Sequence, residues 1–194
     1  MSGADLTPDG SPPLPTTEAA WSALVRAFED HSLPWSAWRH PQHLAVTCWY
    51  VRRDGVAATY AALPAQIQAF NAAHGVETTL ERGYHETMTR FWLALVAARW
   101  ADAPGVPGDP GDLGDPGKPG DPGEPGDPGE PGDPLARLAA VGAALGDKHL
   151  PAQYWSAGLL GSWEARRGWI APDLKPFPEA ALLPPFAGRS PESG

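Results

Sequence analysis

The stretch Gln42-His-Leu-Ala-Val-Thr-Cys-Trp-Tyr-Val51 decides the fold class, because it contains no charged residue. Pro41 before it suits the first position of a helix, and Asp54-Gly55 after it is a helix-breaking pair. A helix without charged residues has no strongly polar face to turn toward water, so it is expected at the centre of a bundle. The sequence therefore predicts a central helix from Pro41 to about Arg53, with other helices packed around it.

Apolar residues recur at helical spacing on both sides of this central helix. A first helix is expected after Thr17, a residue type suited to helix N-caps, and it should end at Ser32-Leu33-Pro34. Further helices are predicted at about 56–73, 84–101 and 135–145, followed by one or two short helices and an aromatic tail over 150–177. No stretch alternates with the period of a β-strand. The predicted fold class is therefore all-α, a compact bundle of about five or six helices.

The predicted helices form a single helical domain of residues 16–104 plus 135–182, with disordered ends at 1–15 and 183–194. Between its two parts, residues 105–134 are ten Gly-X-Y triplets: GVP GDP GDL GDP GKP GDP GEP GDP GEP GDP. The triplets contain six Asp, two Glu and one Lys, so they carry −7 of the net charge of −9. All nine Trp lie outside them. The sequence thus joins an aromatic body to an acidic collagen-like insertion.

Two interpretations of this Gly-X-Y segment remain open. Its period is that of collagen, in which only Gly fits at the crowded axis of three polyproline II strands. However, acidic residues dominate the X positions and Lys118 is the only countercharge. Thirty residues of polyproline II would also extend about 90 Å, too far for helices that pack in one domain. The sequence favours a disordered acidic loop with ends about 30 Å apart, and a trimerising element is the alternative.

Composition narrows the class of protein. Cys48 is the single cysteine, so no intrachain disulfide forms, and its apolar neighbours predict a buried hydrophobe. Lys and Arg number 14 against 23 Asp and Glu, which argues against a nucleic-acid partner. The longest apolar run, 93–98, is far shorter than the ~20 residues of a membrane span, and the N-terminus does not read as a signal peptide. We expect a cytoplasmic monomer or small homo-oligomer with no membrane partner and an unknown protein partner.

A candidate metal site begins with the H-x-x-H of His40 and His43. Pro41 disfavours the α conformation at the residue before it, so His40 is predicted as the N-cap of the central helix, with His43 one turn further on. The positive end of a helix disfavours imidazolium, so both rings should be neutral, which is the form that binds a divalent metal. His85 is predicted on the core side of a later helix, and Glu29 or Glu86 could complete an open site.

The same residues have a structural interpretation. His40 could cap its helix only, and His43 could bond a neighbouring backbone group. Glu86 is also explained by the helix dipole and by a pair with Arg90 four residues on. His74 is expected at a helix C-terminus and His149 in a loop, both outside the site.

Four segments resemble a family of small uncharacterised bacterial all-α proteins in which W-x-H-x-x-H-L and Y-H-E-T recur. They are Trp38-Arg-His-Pro-Gln-His-Leu44, Asn71-Ala-Ala-His-Gly75, Tyr84-His-Glu-Thr-Met-Thr-Arg-Phe-Trp92 and Trp163-Glu-Ala-Arg-Arg-Gly-Trp169. The resemblance covers most of the body and skips the Gly-X-Y segment. It implies that this segment is an insertion between two helices of one domain, and it implies no activity.

Three functions follow as hypotheses from these patterns. The first is a metal-binding helical protein that uses His40, His43 and His85. The second is a non-catalytic interaction module whose acidic loop contacts a partner. The third is a collagen-like structural protein that trimerises through residues 105–134.

Overall fold

A computed structural model describes residues 12–102 and 133–177 of the chain. It contains six α-helices in the order α1 (Glu18–Glu29), α2 (His40–Ala73), α3 (Glu86–Asp102), α4 (Pro134–Leu145), α5 (Ala157–Leu160) and α6 (Trp163–Arg167). Two short 3-10 helices, Trp35–Ala37 and Leu150–Gln153, precede α2 and α5. No strand occurs in this part of the chain. The predicted all-α fold class is confirmed.

The first half of α2 is the centre of the bundle, as its lack of charge predicts. Leu44, Val46 and Cys48 are at most 1% exposed, and α2 packs against α1, α3 and α4. The indole of Trp21 on α1 donates a 2.9 Å hydrogen bond to the carbonyl of Ala45. Such a bond satisfies a buried N–H and fixes α1 on α2.

The break predicted at Asp54-Gly55 lies inside α2. Gly55 has φ 77° and ψ 166°, outside the helical region, while hydrogen bonding continues on both sides. Positive φ is accessible to Gly because it has no Cβ. The predicted break is therefore confirmed: α2 consists of two helical parts that meet at a kink at Gly55.

A second, smaller core forms on the other side of α3. It is built from Phe91 and Ala94 of α3 with Trp155 and Phe177 of the C-terminal segment. Phe91 and Trp155 meet edge to face with ring centroids 5.3 Å apart, a favourable aromatic geometry. The aromatic tail expected over 150–177 thus covers the outer face of α3.

The helices on either side of the Gly-X-Y segment pack against each other. The guanidinium of Arg137 on α4 lies 5.7 Å from the ring centre of Trp100 on α3. Asp133, the residue before α4, accepts hydrogen bonds from the amides of Leu135 and Ala136 and so caps the helix. The interpretations of residues 103–132, and those of 1–11 and 178–194, fall outside the described residues.

The structure corrects the expectation of disorder for the end of the N-terminal stretch. The carbonyl of Pro12 accepts a 2.9 Å hydrogen bond from the buried amide of Gln42, and Leu14 packs against the core. Proline lacks a backbone N–H donor but keeps its carbonyl acceptor, so a Pro-rich stretch can still accept a hydrogen bond from a buried donor.

Among the helices described here, none has the length and apolarity to cross a bilayer.

Candidate functional site

His40 connects the start of α2 with the end of α4. Its Nε2 atom lies 2.8 Å from the carbonyl oxygen of Leu145, and its ring centre lies 4.4 Å from that of Trp92. A carbonyl only accepts, so Nε2 carries the proton in this bond. His40 is the first residue of α2 and Arg39 is the N-cap, one residue earlier than predicted. The role of His40 as the N-cap is therefore corrected.

His43 packs on an indole. Its ring centre is 3.8 Å from that of Trp38. Burial, and after it the nearby His40, lower the pKa of His43 to about 3. A buried imidazole avoids the cost of desolvating a charge by staying neutral. The neutral state expected for His43 therefore arises mainly from burial.

His85 uses both nitrogens of its ring. Nδ1 accepts a 3.3 Å hydrogen bond from the amide of Met88, and Nε2 lies 2.9 Å from the carbonyl oxygen of Leu160. The first contact caps the N-terminus of α3, and the second attaches α5 to it. Burial lowers the pKa of His85, and the charge of Arg166 adds to the effect.

The two candidate carboxylates are held in separate pairs. Glu29 accepts a 3.0 Å hydrogen bond from the hydroxyl of Tyr50 and forms a 2.9 Å ion pair with Arg53. Burial, and then this bond to Glu29, raise the pKa of Tyr50 to about 12.

Glu86 accepts from the hydroxyl of Tyr84 and pairs with Arg90 four residues on. The alternative explanation of Glu86, an i,i+4 pair, is confirmed.

These contacts do not bring the five predicted ligands into one set. Within residues 12–102 and 133–177, no group of three or more His, Cys, Asp or Glu side chains is arranged to hold a metal ion. A metal bound by His40 and His85 through Nε2 would require both rings to release their carbonyls. Divalent-metal binding by His40, His43, His85, Glu29 and Glu86 stays a prediction, and elemental analysis of the purified protein tests it.

Sequence reasoning missed two residues that join α3 to the C-terminal segment. Thr87, fully buried, donates a 2.7 Å hydrogen bond to the carbonyl of Gly168 and accepts from the amide of Ile170 at 3.3 Å. Arg166, 8% exposed, donates to the carbonyls of the loop before α3. The sequence signal for both residues was weak: Thr87 lies one helical turn before the apolar Phe91, and Arg166 lies between Trp163 and Trp169.

No family model matches the chain, and no curated protein or solved structure matches it significantly. The resemblance to small bacterial all-α proteins therefore stays a prediction. The hydrogen bonds described above join the part of the chain before the Gly-X-Y segment to the part after it.

Proposed function

We propose that this protein is a non-catalytic interaction module, in which a rigid helical body presents its acidic Gly-X-Y segment to a partner with a basic surface. The observation that carries the proposal is the contact between Trp100 and Arg137, at 5.7 Å from ring centre to guanidinium. These residues flank the segment near the end of α3 and the start of α4. Both ends of the segment are thus attached to the same place on the body.

The histidine contacts support this function. His40 and His85, from the part of the chain before the segment, bond Leu145 and Leu160 from the part after it. Residues occupied in this way stabilise the body and are not available to a substrate. A body held across the insertion keeps its two ends fixed, so the segment is presented from one point.

Charge supports the choice of partner. The segment carries −7 in 30 residues, and the rest of the chain carries only −2. Concentrated charge steers an oppositely charged partner and raises the association rate, and the effect weakens as salt screens it. A basic surface is therefore the chemistry that this segment fits.

The same contact between Trp100 and Arg137 weighs against the collagen-like trimer. An unbroken polyproline II run of 30 residues needs ends about 90 Å apart. Trp100 and Arg137 lie only five and three residues outside the triplets and touch each other. A triple helix through all ten triplets would require this contact to break.

The test compares two pairs of neutral substitutions. Asp121→Asn with Glu124→Gln removes two charges from the segment, and Glu77→Gln with Glu164→Gln removes two from exposed positions of the body. Binding to an immobilised lysine-rich peptide is measured at low and high salt. We expect the segment pair to weaken binding several-fold and the body pair to change it little. Equal effects of the two pairs would mean that the partner recognises only the total charge, and the proposal would fail.

A further inference from the structure

The N-terminal strap, residues 12–15 with the sequence Pro-Pro-Leu-Pro, lies in a groove of the helical body. The side-chain amide nitrogen of Gln42 on α2 donates to the carbonyls of Pro12 at 2.9 Å and Pro13 at 3.4 Å. The side chain of Leu14 packs against the main core. The strap therefore shows which chemistry this groove accepts: a backbone carbonyl together with a leucine side chain.

Gly142 on α4 forms the notch that receives this leucine. A Cβ at Gly142 would overlap the Cδ1 atom of Leu14 and would lie 3.6 Å from its Cγ atom, and these are the only described atoms it would meet outside its own turn of helix. Glycine inside a helix is less stable than alanine. The space at Gly142 is therefore explained by the strap and by no contact within the rest of the body.

The strap leaves one buried acceptor of the groove unpaired. Gln42 is 2% exposed, and its Oε1 atom has no hydrogen-bond partner among the described residues. The carbonyls of the strap only accept, so the amide nitrogen of Gln42 must face them, and the orientation of this amide is fixed. A buried acceptor without a partner costs free energy. The strap is therefore an incomplete occupant of the groove.

The prolines of the strap account for this unpaired acceptor. In an extended chain the N–H and the C=O of one residue point to the same side, as in strand pairs whose two residues exchange both hydrogen bonds. Pro12 presents its C=O to the Gln42 amide, but proline has no N–H to accompany it. Any other residue at this position would supply the donor that Oε1 lacks.

The groove is also larger than the strap that lies in it. A cavity of about 340 Å³ lies between the strap and Gln42 on one side and apolar residues of the α1 region on the other, namely Ala20, Leu24, Leu33 and Ala37. This volume is within the range of ligand pockets, about 300–1,000 Å³. Such pockets combine an apolar lining with a few polar groups that orient the ligand.

We propose that this groove is a peptide-binding site, which the strap occupies until an extended, leucine-containing segment of a partner protein displaces it. The partner segment places its leucine in the notch at Gly142. Its backbone pairs both polar atoms of the Gln42 amide, with a C=O on Nε2 and an N–H on Oε1. Attachment to the chain gives the strap a high effective concentration, and its missing N–H offsets that advantage. The site is separate from the acidic Gly-X-Y segment and does not rest on the proposed function.

Two synthetic peptides test whether the N–H decides the affinity. One has the sequence of residues 11–16, Ser-Pro-Pro-Leu-Pro-Thr, and the other carries Pro12→Ala. Both are titrated into the full-length Leu14→Ala variant, whose own strap lacks the leucine. Calorimetry and the NMR signal of the Gln42 side-chain amide follow the binding. We expect the Pro12→Ala peptide to bind about tenfold more tightly, the effect of one hydrogen bond to a buried acceptor.

Methylation of the alanine nitrogen in the Pro12→Ala peptide is the matched control. It removes the N–H again and keeps the side chain, so the gain in affinity should disappear. Equal affinities of the three peptides, or binding by none of them, would overturn the proposal.

A pair of glycine substitutions tests the notch. In the Leu14→Ala chain, Gly142→Ala fills the notch with a methyl group and should weaken the binding of both peptides by about tenfold, because their leucine loses its place. Alanine is the better helix former, so circular dichroism should show α4 intact. Gly158→Ala adds a Cβ that meets no atom within 4 Å and should leave binding within about twofold. Equal effects of the two substitutions would show that the leucine lies elsewhere.

The parent chain tests competition by the strap. We expect both peptides to bind the parent several-fold more weakly than they bind the Leu14→Ala variant, since the complete strap holds the groove. Leu174→Ala removes a leucine that is 58% exposed, and this variant should behave as the parent. If the parent and Leu14→Ala bind the peptides equally, the strap and the peptides do not share a groove and the proposal fails. Binding of the lysine-rich peptide to the acidic segment is measured separately, so either proposal can fail alone.

Discussion

The imidazole of His85 functions in one protonation state. Nδ1 accepts from the Met88 amide while Nε2 faces the Leu160 carbonyl, so the neutral ring with its proton on Nε2 satisfies both contacts. A second proton would place a donor on Nδ1 opposite the donating amide. Burial favours the same neutral state by lowering the pKa of His85. The contacts made by this residue therefore depend on pH.

We expect the free energy of unfolding to fall as the pH drops below about 6.5. The pKa of His43 is about 3 in the folded chain and about 6.5 when unfolded. Between these values the unfolded state binds the proton more strongly, so the stability contributed by neutral His43 is complete above about pH 6.5 and is lost as the pH falls toward the folded value. Urea unfolding at a series of pH values from about 7.5 to about 4.5 measures this loss of the free energy of unfolding.

The His43→Phe variant should show a shallower loss of stability with acid, since Phe does not titrate. His149→Ala changes an exposed histidine and should keep the slope of the parent. Parallel slopes for His43→Phe and the parent would mean that other groups cause the acid sensitivity.

The sequence identified these histidines but not their partners. Spacing placed His85 on the core side of its helix and His43 one turn beyond His40, because helical periodicity is readable from neighbouring residues. The acceptors for His40 and His85 are the backbone carbonyls of Leu145 and Leu160, which lie 105 and 75 residues away along the chain. Every residue has a carbonyl, so no pattern of residue types marks these two. The metal hypothesis had the same weakness. The sequence indicates which side chains point inward, but it does not show which backbone groups already accept their hydrogen bonds.

At the scale of elements, α6 depends on the rest of the body. It has five residues, far fewer than a helix needs to persist alone in water. The Ser162 side chain caps it by accepting from the Ala165 amide at 3.1 Å. Arg166 then attaches it to the loop before α3 through three backbone carbonyls. This helix is therefore stabilised by tertiary contacts.

Substituting Arg166 should cost much more than substituting its neighbour. Arg166→Gln removes most of the donors to three carbonyls and leaves one buried and two partly buried acceptors without these bonds, at an expected cost of about 2–4 kcal/mol. Arg167→Gln changes an exposed side chain and should stay within about 0.5 kcal/mol. Urea unfolding of both variants measures the difference. Comparable losses would show that the contacts of Arg166 contribute no more than a surface charge.

Elements with long apolar patterns were predicted with approximate bounds, whereas the short helices were predicted only in number, as one or two within residues 150–177. The uncharged stretch of α2 and the break at Gly55 follow from local residue types, which act over a few positions. The four residues of α5 and five of α6 are too short for a periodic pattern. Their position comes from bonds such as that of Thr87 to Gly168, 81 residues apart.

At the scale of the whole molecule, the body closes across the Gly-X-Y segment. Trp100 and Arg137 meet beside the two ends of this segment. The ring centre of Trp100 also lies 6.1 Å from that of Trp21 on α1. The segment contains no aromatic residue and only two large apolar ones, Val106 and Leu113. It has little to bury, so the hydrophobic stabilisation of the chain comes from the body.

Shortening the segment should therefore stabilise the body. Replacing residues 105–132 with a six-residue Gly/Ser linker lowers the entropy cost of closing the loop, which depends on the logarithm of its length, by roughly 1–1.5 kcal/mol. A Gly/Ser linker of the original length removes the charges and prolines without changing the length. Urea unfolding and helical circular dichroism compare the two with the parent. If length acts alone, only the short linker raises the free energy of unfolding; if repulsion within the segment matters, both linkers raise it. A loss of helical signal with either linker would mean that the segment is part of the folded body, and the role of the body as an independent scaffold would have to be abandoned.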